Sequence, residues 1–241
     1  MTVILSAEHL TKSFGGVVVV DDLSVSLEQG EALGVVGPNG AGKTTMLNLL
    51  TGTVSADSGR VTFAGVDISK RSPEERCNAG LGRTFQIPRP FEGMTVFENV
   101  LVGGTYGRSQ PEKASYELCA RALDRTGLLP QANVLAESLG LLERKRLELA
   151  RALATEPKAL LLDEIAGGLT EHEVHELIET IRQLRAEGIS IIWIEHIVHA
   201  LLAVVDRLMA IDFGSLIAEG DPNEVINSPE VRDVYMGSMA P

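Results

Sequence analysis

Cysteine is scarce in this chain. Cys77 and Cys119 are the only two in 241 residues. They lie far apart, fit no metal or redox spacing, and suit a reducing cytoplasm. Long apolar runs are also missing. The longest, residues 189–194 (interrupted by Ser190) and 200–205, fall far below the ~18 residues that a membrane-spanning helix needs. Met1 leads into polar residues within a few positions, with no signal pattern. The sequence therefore predicts a soluble chain that meets a membrane only through a partner. Positive charge is in deficit: 21 Lys and Arg against 33 Asp and Glu give a net charge of −12. Bulk electrostatics thus gives a nucleic-acid partner no support. No internal repeat or low-complexity segment is visible. The apolar content of 44% is ample for a core, and the length admits one large α/β domain or a core with a subdomain.

The strongest positive feature is the run Gly37-Pro38-Asn39-Gly40-Ala41-Gly42-Lys43-Thr44. It fills every fixed position of G-x-x-x-x-G-K-[ST], the phosphate-binding loop. Glycines let successive backbone N–H groups turn inward around an anion. Lys43 can reach the outer phosphates as a point charge, and the Thr44 hydroxyl can ligate Mg²⁺. The flanks agree. Residues 31–36 form a short apolar run that reads as a buried strand, and residues 45–50, from Thr45 onward, read as a helix stopped by Gly52. Strand, loop and helix in that order aim a helix N-terminus at phosphate.

Around the loop, the first ~30 residues alternate like antiparallel strands. Leu23, Val25 and Leu27 interleave with Ser24, Ser26 and Glu28. Further strands are expected over 61–65 and 81–86. The pattern over residues 87 to about 133 is mostly helical, broken by Pro88, Pro90, Gly103, Gly104 and Gly107. Thr95 and Glu98 form a candidate capping box, and a longer helix is expected over 111–126. We read this stretch as a helical subdomain inserted into an α/β core. The rest alternates helix and strand: a buried strand at 159–163, a helix capped by Thr170 and Glu173 and ended by Gly188, and a buried strand at 190–194. Such alternation implies a parallel sheet.

Leu160-Leu161-Leu162-Asp163-Glu164 is an apolar strand that ends in carboxylates at the sheet's C-terminal edge. There Asp163 can hold Mg²⁺ through water. Glu164 can polarise a water for attack on the γ-phosphate. An acidic strand end alone is weak evidence; behind a phosphate loop it carries weight.

With both motifs in hand, the chain resembles, over almost its whole length, the nucleotide-binding subunit of an ABC transporter. The resemblance implies an α/β fold: a P-loop NTPase core with a mostly parallel sheet, an N-terminal antiparallel β subdomain and an inserted α-helical subdomain. It implies a single ABC ATPase domain over 1–241, with 1–86 and 143–241 as the core and about 87–142 as the helical part. Gln86, in Arg83-Thr84-Phe85-Gln86, matches the family's Q-loop glutamine. Its implied role is to touch Mg²⁺ or the attacking water and report to the membrane subunit. His196, in Trp193-Ile194-Glu195-His196, matches the switch histidine, a γ-phosphate contact that orients the water. The ordinary alternative for a lone histidine is a packed or surface role. Phe14 matches the aromatic that stacks on adenine, against an alternative of core packing.

The implied cofactors are ATP and Mg²⁺. The implied partners are integral-membrane permease subunits, a second ABC ATPase in a head-to-tail dimer and, indirectly, a periplasmic or extracellular solute-binding protein, with no nucleic acid. The implied place is cytoplasmic, peripheral on the inner face of the cell membrane.

The family's L-S-G-G-Q signature falls on Leu139-Gly140-Leu141-Leu142-Glu143, where serine and both glycines are out of register. This motif caps ATP on the opposite subunit, so the departure bears on the partner's site. An alternative register puts Ser138-Leu139-Gly140 there. Ile165 replaces the usual proline, and Thr170 stands where the dimer-contacting loop has aspartate. Residues 83–91, 94–100, 144–151 and 193–196 are similar to branched-chain amino acid importers, which tolerate such signatures and pair two different ATPases. Related importers carry urea, amides or aromatic acids.

Two rivals stand beside an ATP-driven importer: a nucleotide-sensing module that does not hydrolyse, and an ABC-type ATPase of DNA repair or translation. The latter usually carry a coiled-coil insertion or two cassettes. His172-Glu173-Val174-His175 is not a zinc motif. The charged stretches 71–76 and 144–151 are read as solvated helix faces.

Overall fold

The structure is a computed structural model that describes residues 2–108 and 111–237, the last three by backbone alone. Strands β1 (Val3–Phe14) and β2 (Val17–Glu28) form a long antiparallel hairpin, followed by β3 (Ala32–Val36) and helix α1 (Lys43–Thr51). Next come β4 (Ser58–Phe63), β5 (Val66–Asp67), α2 (Pro73–Asn78) and β6 (Leu81–Arg83). Helices α3 (Val96–Tyr106), α4 (Glu112–Arg125) and α5 (Leu141–Leu153) lead into β7 (Ala159–Asp163), α6 (Glu171–Ala186) and β8 (Ser190–Ile194). The chain continues through α7 (Val198–Leu202), β9 (Arg207–Asp212), β10 (Ser215–Gly220), α8 (Pro222–Asn227) and α9 (Pro229–Gly237).

Two sheets result. One is four-stranded, in the order β2-β1-β4-β5, and antiparallel. The other is six-stranded, in the order β10-β9-β3-β8-β7-β6, parallel except for the β9–β10 hairpin at its edge. β3, β7 and β8 are buried at every position, as expected for strands covered on both faces. Their side chains alternate between two cores, with the period of two that a pleated strand imposes. Ala32, Leu160, Leu162, Ile191 and Trp193 face the helices α5 and α6. Leu33, Leu161, Ile192 and Ile194 face α1 and the antiparallel sheet, through Met46, Leu47 and Phe63.

Three local expectations need correction. The strand expected over 61–65 ends at Phe63, because Ala64 and Gly65 both have positive φ, at 48° and 77°. That is the turn geometry of a tight hairpin into β5. The strand expected over 81–86 stops at Arg83; β6 is the edge strand, with β7 its one neighbour among the described residues. Gly103 and Gly104 do not break a helix; α3 runs through both. A Cβ on Gly103 would lie 2.5 Å from the Arg151 carbonyl oxygen, and one on Gly104 2.9 Å from Cys119 Sγ. Here glycine serves close helix approach to α5 and α4. Gly107 does end the helix. The expected capping boxes at Thr95 and Thr170 are present.

The charged stretches are also not simple solvated faces. Arg76 is 3% exposed. It donates to the Leu49 and Leu50 carbonyl oxygens at 2.7 and 2.8 Å, closing the C-terminus of α1, where bare carbonyls favour a cation. Lys145 and Glu148 on α5 are buried as well.

Candidate nucleotide site

The order β3-β8-β7-β6 sets four chain crossings side by side at the C-terminal edge of the parallel sheet, where open α/β sheets bind ligands. The phosphate loop follows β3, His196 follows β8, Glu164 follows β7 and Gln86 follows β6.

Gly42 is the N-cap of α1 with φ +99°. A Cβ there would come within 2.6 Å of the Val19 carbonyl oxygen. Only glycine permits both the backbone and the approach of β2. The first closing bond of α1 is Met46 N–H to Gly42 C=O at 2.8 Å, so the N–H groups ahead of it have no intrahelical acceptor. They and the helix dipole face the loop.

Lys43 is 5% exposed. Its Nζ donates to the Gly37 and Pro38 carbonyl oxygens at 2.6 and 2.9 Å. Burial pulls the ammonium below its usual range, and the carboxylates of Glu164 and Asp163 oppose that. A cavity of about 280 Å³ is lined by Gly40, Lys43, Thr44, Thr45, Gln86 and Glu164, with Asn39, Ala41 and Gly42 also on its wall.

Asp163, the last residue of β7, is 2% exposed. Its Oδ1 accepts from Thr44 Oγ1 at 3.3 Å and its Oδ2 from Arg83 Nη2 at 3.0 Å. Burial raises its carboxyl, and the Arg83 guanidinium beside it works the other way. Two hard oxygens of Thr44 and Asp163, meeting at the edge of a ring of N–H groups and an ammonium, form a donor set that fits a magnesium-bound triphosphate.

Glu164 has φ +48°, uncommon for a residue with a side chain and often found at functional sites. Its N–H is held by the Ile194 carbonyl oxygen at 2.9 Å. Its carboxylate is bracketed. His196 Nε2 lies 2.7 Å from Oε1, and Gln86 Nε2 donates to Oε2. Gln86, Asp163 and Glu164 therefore meet at the loop, and His196 joins them through Glu164.

Phe14 is 50% exposed, with Lys12 Nζ 5.5 Å from its ring centre. It is not core. It does not line the cavity, but it stands on the same hairpin as Val19, which does.

A second cavity, of about 480 Å³, adjoins the first. It is lined by Thr44, Asn48, Arg83, Phe85, Gln86 and Asp163 among others. Thr44 and Gln86 belong to both.

Sequence reasoning gave Arg83 no role. Its Nη1 donates to Asn48 Oδ1 at 2.6 Å and its guanidinium lies 4.9 Å from the Phe85 ring centre, besides its bond to Asp163. The available signal was a charge at the end of an apolar strand. At the signature segment, Gly140 is the N-cap of α5, and its N–H donates to Glu143 Oε2 at 2.7 Å. The N-terminus of that helix already carries an anion of its own chain. Ser138 is turned aside, its Oγ donating to the Leu135 carbonyl oxygen.

A family model described as "ABC transporter" matches residues 20–167. Another, "Branched-chain amino acid ATP-binding cassette transporter", matches residues 215–241. The chain is 33% identical over 250 residues to a probable branched-chain amino acid transport ATP-binding protein, LivG, of Methanocaldococcus jannaschii, covering 97% of each. It is 34% identical over 251 residues to the high-affinity branched-chain amino acid transport ATP-binding protein LivG of Escherichia coli K12, covering 97% of this chain and 98% of that one. The crystal structure of the ADP conformation of MJ1267, an ATP-binding cassette of an ABC transporter, superposes with a TM-score of 0.90 at 32% identity, over 98% of this chain and 100% of that one. The structure of cbiO1 from Clostridium perfringens, part of the ABC transporter complex cbiONQ, gives 0.84 at 26% identity, over 99% and 100%. With its loop, its carboxylates and these likenesses in agreement, the chain belongs to the ATP-binding cassette family of ABC transporters.

Proposed function

We propose that this chain hydrolyses ATP to power an ABC importer, with branched-chain amino acids as the solute class. The observation that carries the hydrolytic reading is the Glu164 carboxylate at the mouth of the loop, held between His196 at 2.7 Å and Gln86. In this reading the N–H groups of the loop and Lys43 bind the triphosphate, and Phe14 stacks on the adenine. Thr44 and Asp163, with Gln86, would hold Mg²⁺, which would supply neutralisation of charge on the transferred phosphoryl group. Glu164 accepts a proton from the water that attacks the γ-phosphate, and ADP and phosphate leave. His196 orients Glu164 and the water.

Gln86 belongs to both cavities, which supports a coupling role. The segment around it exposes Phe85, Ile87 and Phe91 at 49, 66 and 43%, an apolar surface suited to a permease. Among the described residues no helix is long and apolar enough to cross a membrane. Residues 87–142 would then be the helical part of a single cassette spanning 1–241. We place the chain on the inner face of the cell membrane, docked to permease subunits. It would pair head to tail with a second, different ATPase, with a solute-binding protein acting on the far side. The solute class is supported by the names of the LivG relatives and by the match over residues 215–241; urea, amides or aromatic acids are the alternatives.

Glu164→Gln in the assembled transporter tests the catalytic part. ATP binding should persist while turnover falls 10²- to 10⁴-fold, the usual contribution of a general base. Wild-type turnover in that variant refutes the assignment. One observation favours a second reading, nucleotide sensing without hydrolysis at the partner's site: the carboxylate of Glu143 at the N-terminus of α5 repels a phosphate there. Single-turnover hydrolysis with the cognate partner separates the two.

A further inference from the structure

Glu195 follows the last residue of β8 and is 1% exposed. A buried carboxylate is costly unless its charge is met; burial raises the Glu195 carboxyl, and backbone N–H groups work the other way. Oε2 accepts from the Ala166 N–H and Oε1 from the His196 N–H, each at 2.9 Å. The Ile197 N–H adds to the stabilisation. Lys145 on α5, 5% exposed, supplies opposite charge, and its Nζ is 3.5 Å from the Glu164 carbonyl oxygen. Ala166 lies in the loop that carries Glu164, and His196 in the loop after the neighbouring strand. One side chain therefore ties together the two loops whose tips hold the Glu164–His196 contact. A hydroxyl or carboxamide offers a single acceptor oxygen; only a carboxylate presents two to two separate donors.

We propose that Glu195 is a positioning residue for hydrolysis: its two carboxylate oxygens fix the spacing of the loops after β7 and β8 and so hold Glu164 and His196 in register. This rests on the reading of Glu164 and His196 as the hydrolytic pair. The clamp itself can be read without nucleotide. In the ¹⁵N-labelled, nucleotide-free chain, the Ala166 and His196 amide protons should resonate downfield and exchange slowly. In Glu195→Gln, at least one of them should lose protection by roughly tenfold, the worth of one hydrogen bond, while amides within β7 and β8 keep theirs. Where Glu195→Gln does not fold, Glu195→Asp, which keeps the charge and shortens the reach, reads the same two amides. In the assembled transporter, the folded variant should lower kcat for Mg·ATP about 10- to 100-fold, the effect of a small misplacement, with nucleotide Kd unchanged.

Unchanged amides overturn the proposal. So does a variant with altered amides and wild-type kcat, or one that loses nucleotide affinity with kcat intact. Failure of the underlying reading would look different: Glu164→Gln would turn over normally while the amides still reported the clamp.

Discussion

Replacing Arg83 by Met isolates the electrostatics beneath the Asp163 carboxylate. Arg83 and Asp163 are almost fully buried, with side chains 7 and 3% exposed and a 3.0 Å contact. Burial is the largest influence on both, drawing the guanidinium down and the carboxyl up, and the pairing offsets only part of it. The pair is thus no great asset against an apolar core, but breaking one side leaves an uncompensated charge worth about 3–5 kcal/mol. The adjoining cavity of about 480 Å³ is lined by both residues and gives water some access, which argues for about 3 kcal/mol. For a chain of this size that lowers Tm by roughly 6–12 °C. Asp163→Asn should cost a similar amount by stranding the guanidinium. The double variant, with no unmatched charge, should recover most of the loss. Thermal and urea denaturation of the nucleotide-free protein measure all three. Arg83→Met within about 0.5 kcal/mol of wild type, or a double variant equal to the sum of the singles, would refute the reasoning.

Two further outcomes follow from local geometry. Gly103→Ala places a methyl against the Arg151 carbonyl oxygen, 2.5 Å away on the present backbone. It should cost about 1–3 kcal/mol in denaturation and leave Mg·ATP affinity alone, whereas Gly93→Ala, with open space around its Cβ, should not be destabilised by crowding. At the N-terminus of α6, hydrogen bonds from the Thr170 N–H and hydroxyl hold the Glu173 carboxyl below its ordinary 4.5. A lowered folded-state pKa contributes stability that is full above the ordinary value and lost as pH falls below it and through the lowered folded value. Glu173→Gln should therefore show a flatter loss of stability below about pH 4.5 than wild type; equal slopes would contradict the cap.

The phosphate loop and the acidic strand end were legible because their chemistry is local. Adjacent residues supply both the backbone shape and the ligands, so spacing alone carries the information. The buried strands were legible for a similar reason: being covered on both faces makes them continuous apolar runs. Arg83, Lys145, Arg76 and Glu195 were not legible. Each looks like an ordinary surface charge in sequence, and each gains its role from groups far along the chain, as Arg83 does from Asp163 and Asn48. Gly103 misled for the same reason. Its freedom reads as a helix break until the carbonyl of Arg151 is seen against it.

The central claim is that Lys43 and the loop grip a triphosphate. Lys43 now rests on the Gly37 and Pro38 carbonyl oxygens at 2.6 and 2.9 Å, poised at the cavity it helps to line. Titration calorimetry of Mg·ATP into the nucleotide-free chain and its Lys43→Met variant is the most direct measurement. Charge-assisted hydrogen bonds of about 1.5–3 kcal/mol predict that the folded variant binds roughly 10- to 150-fold more weakly. No heat of binding to the wild type, or equal affinity in the two proteins, would contradict the account.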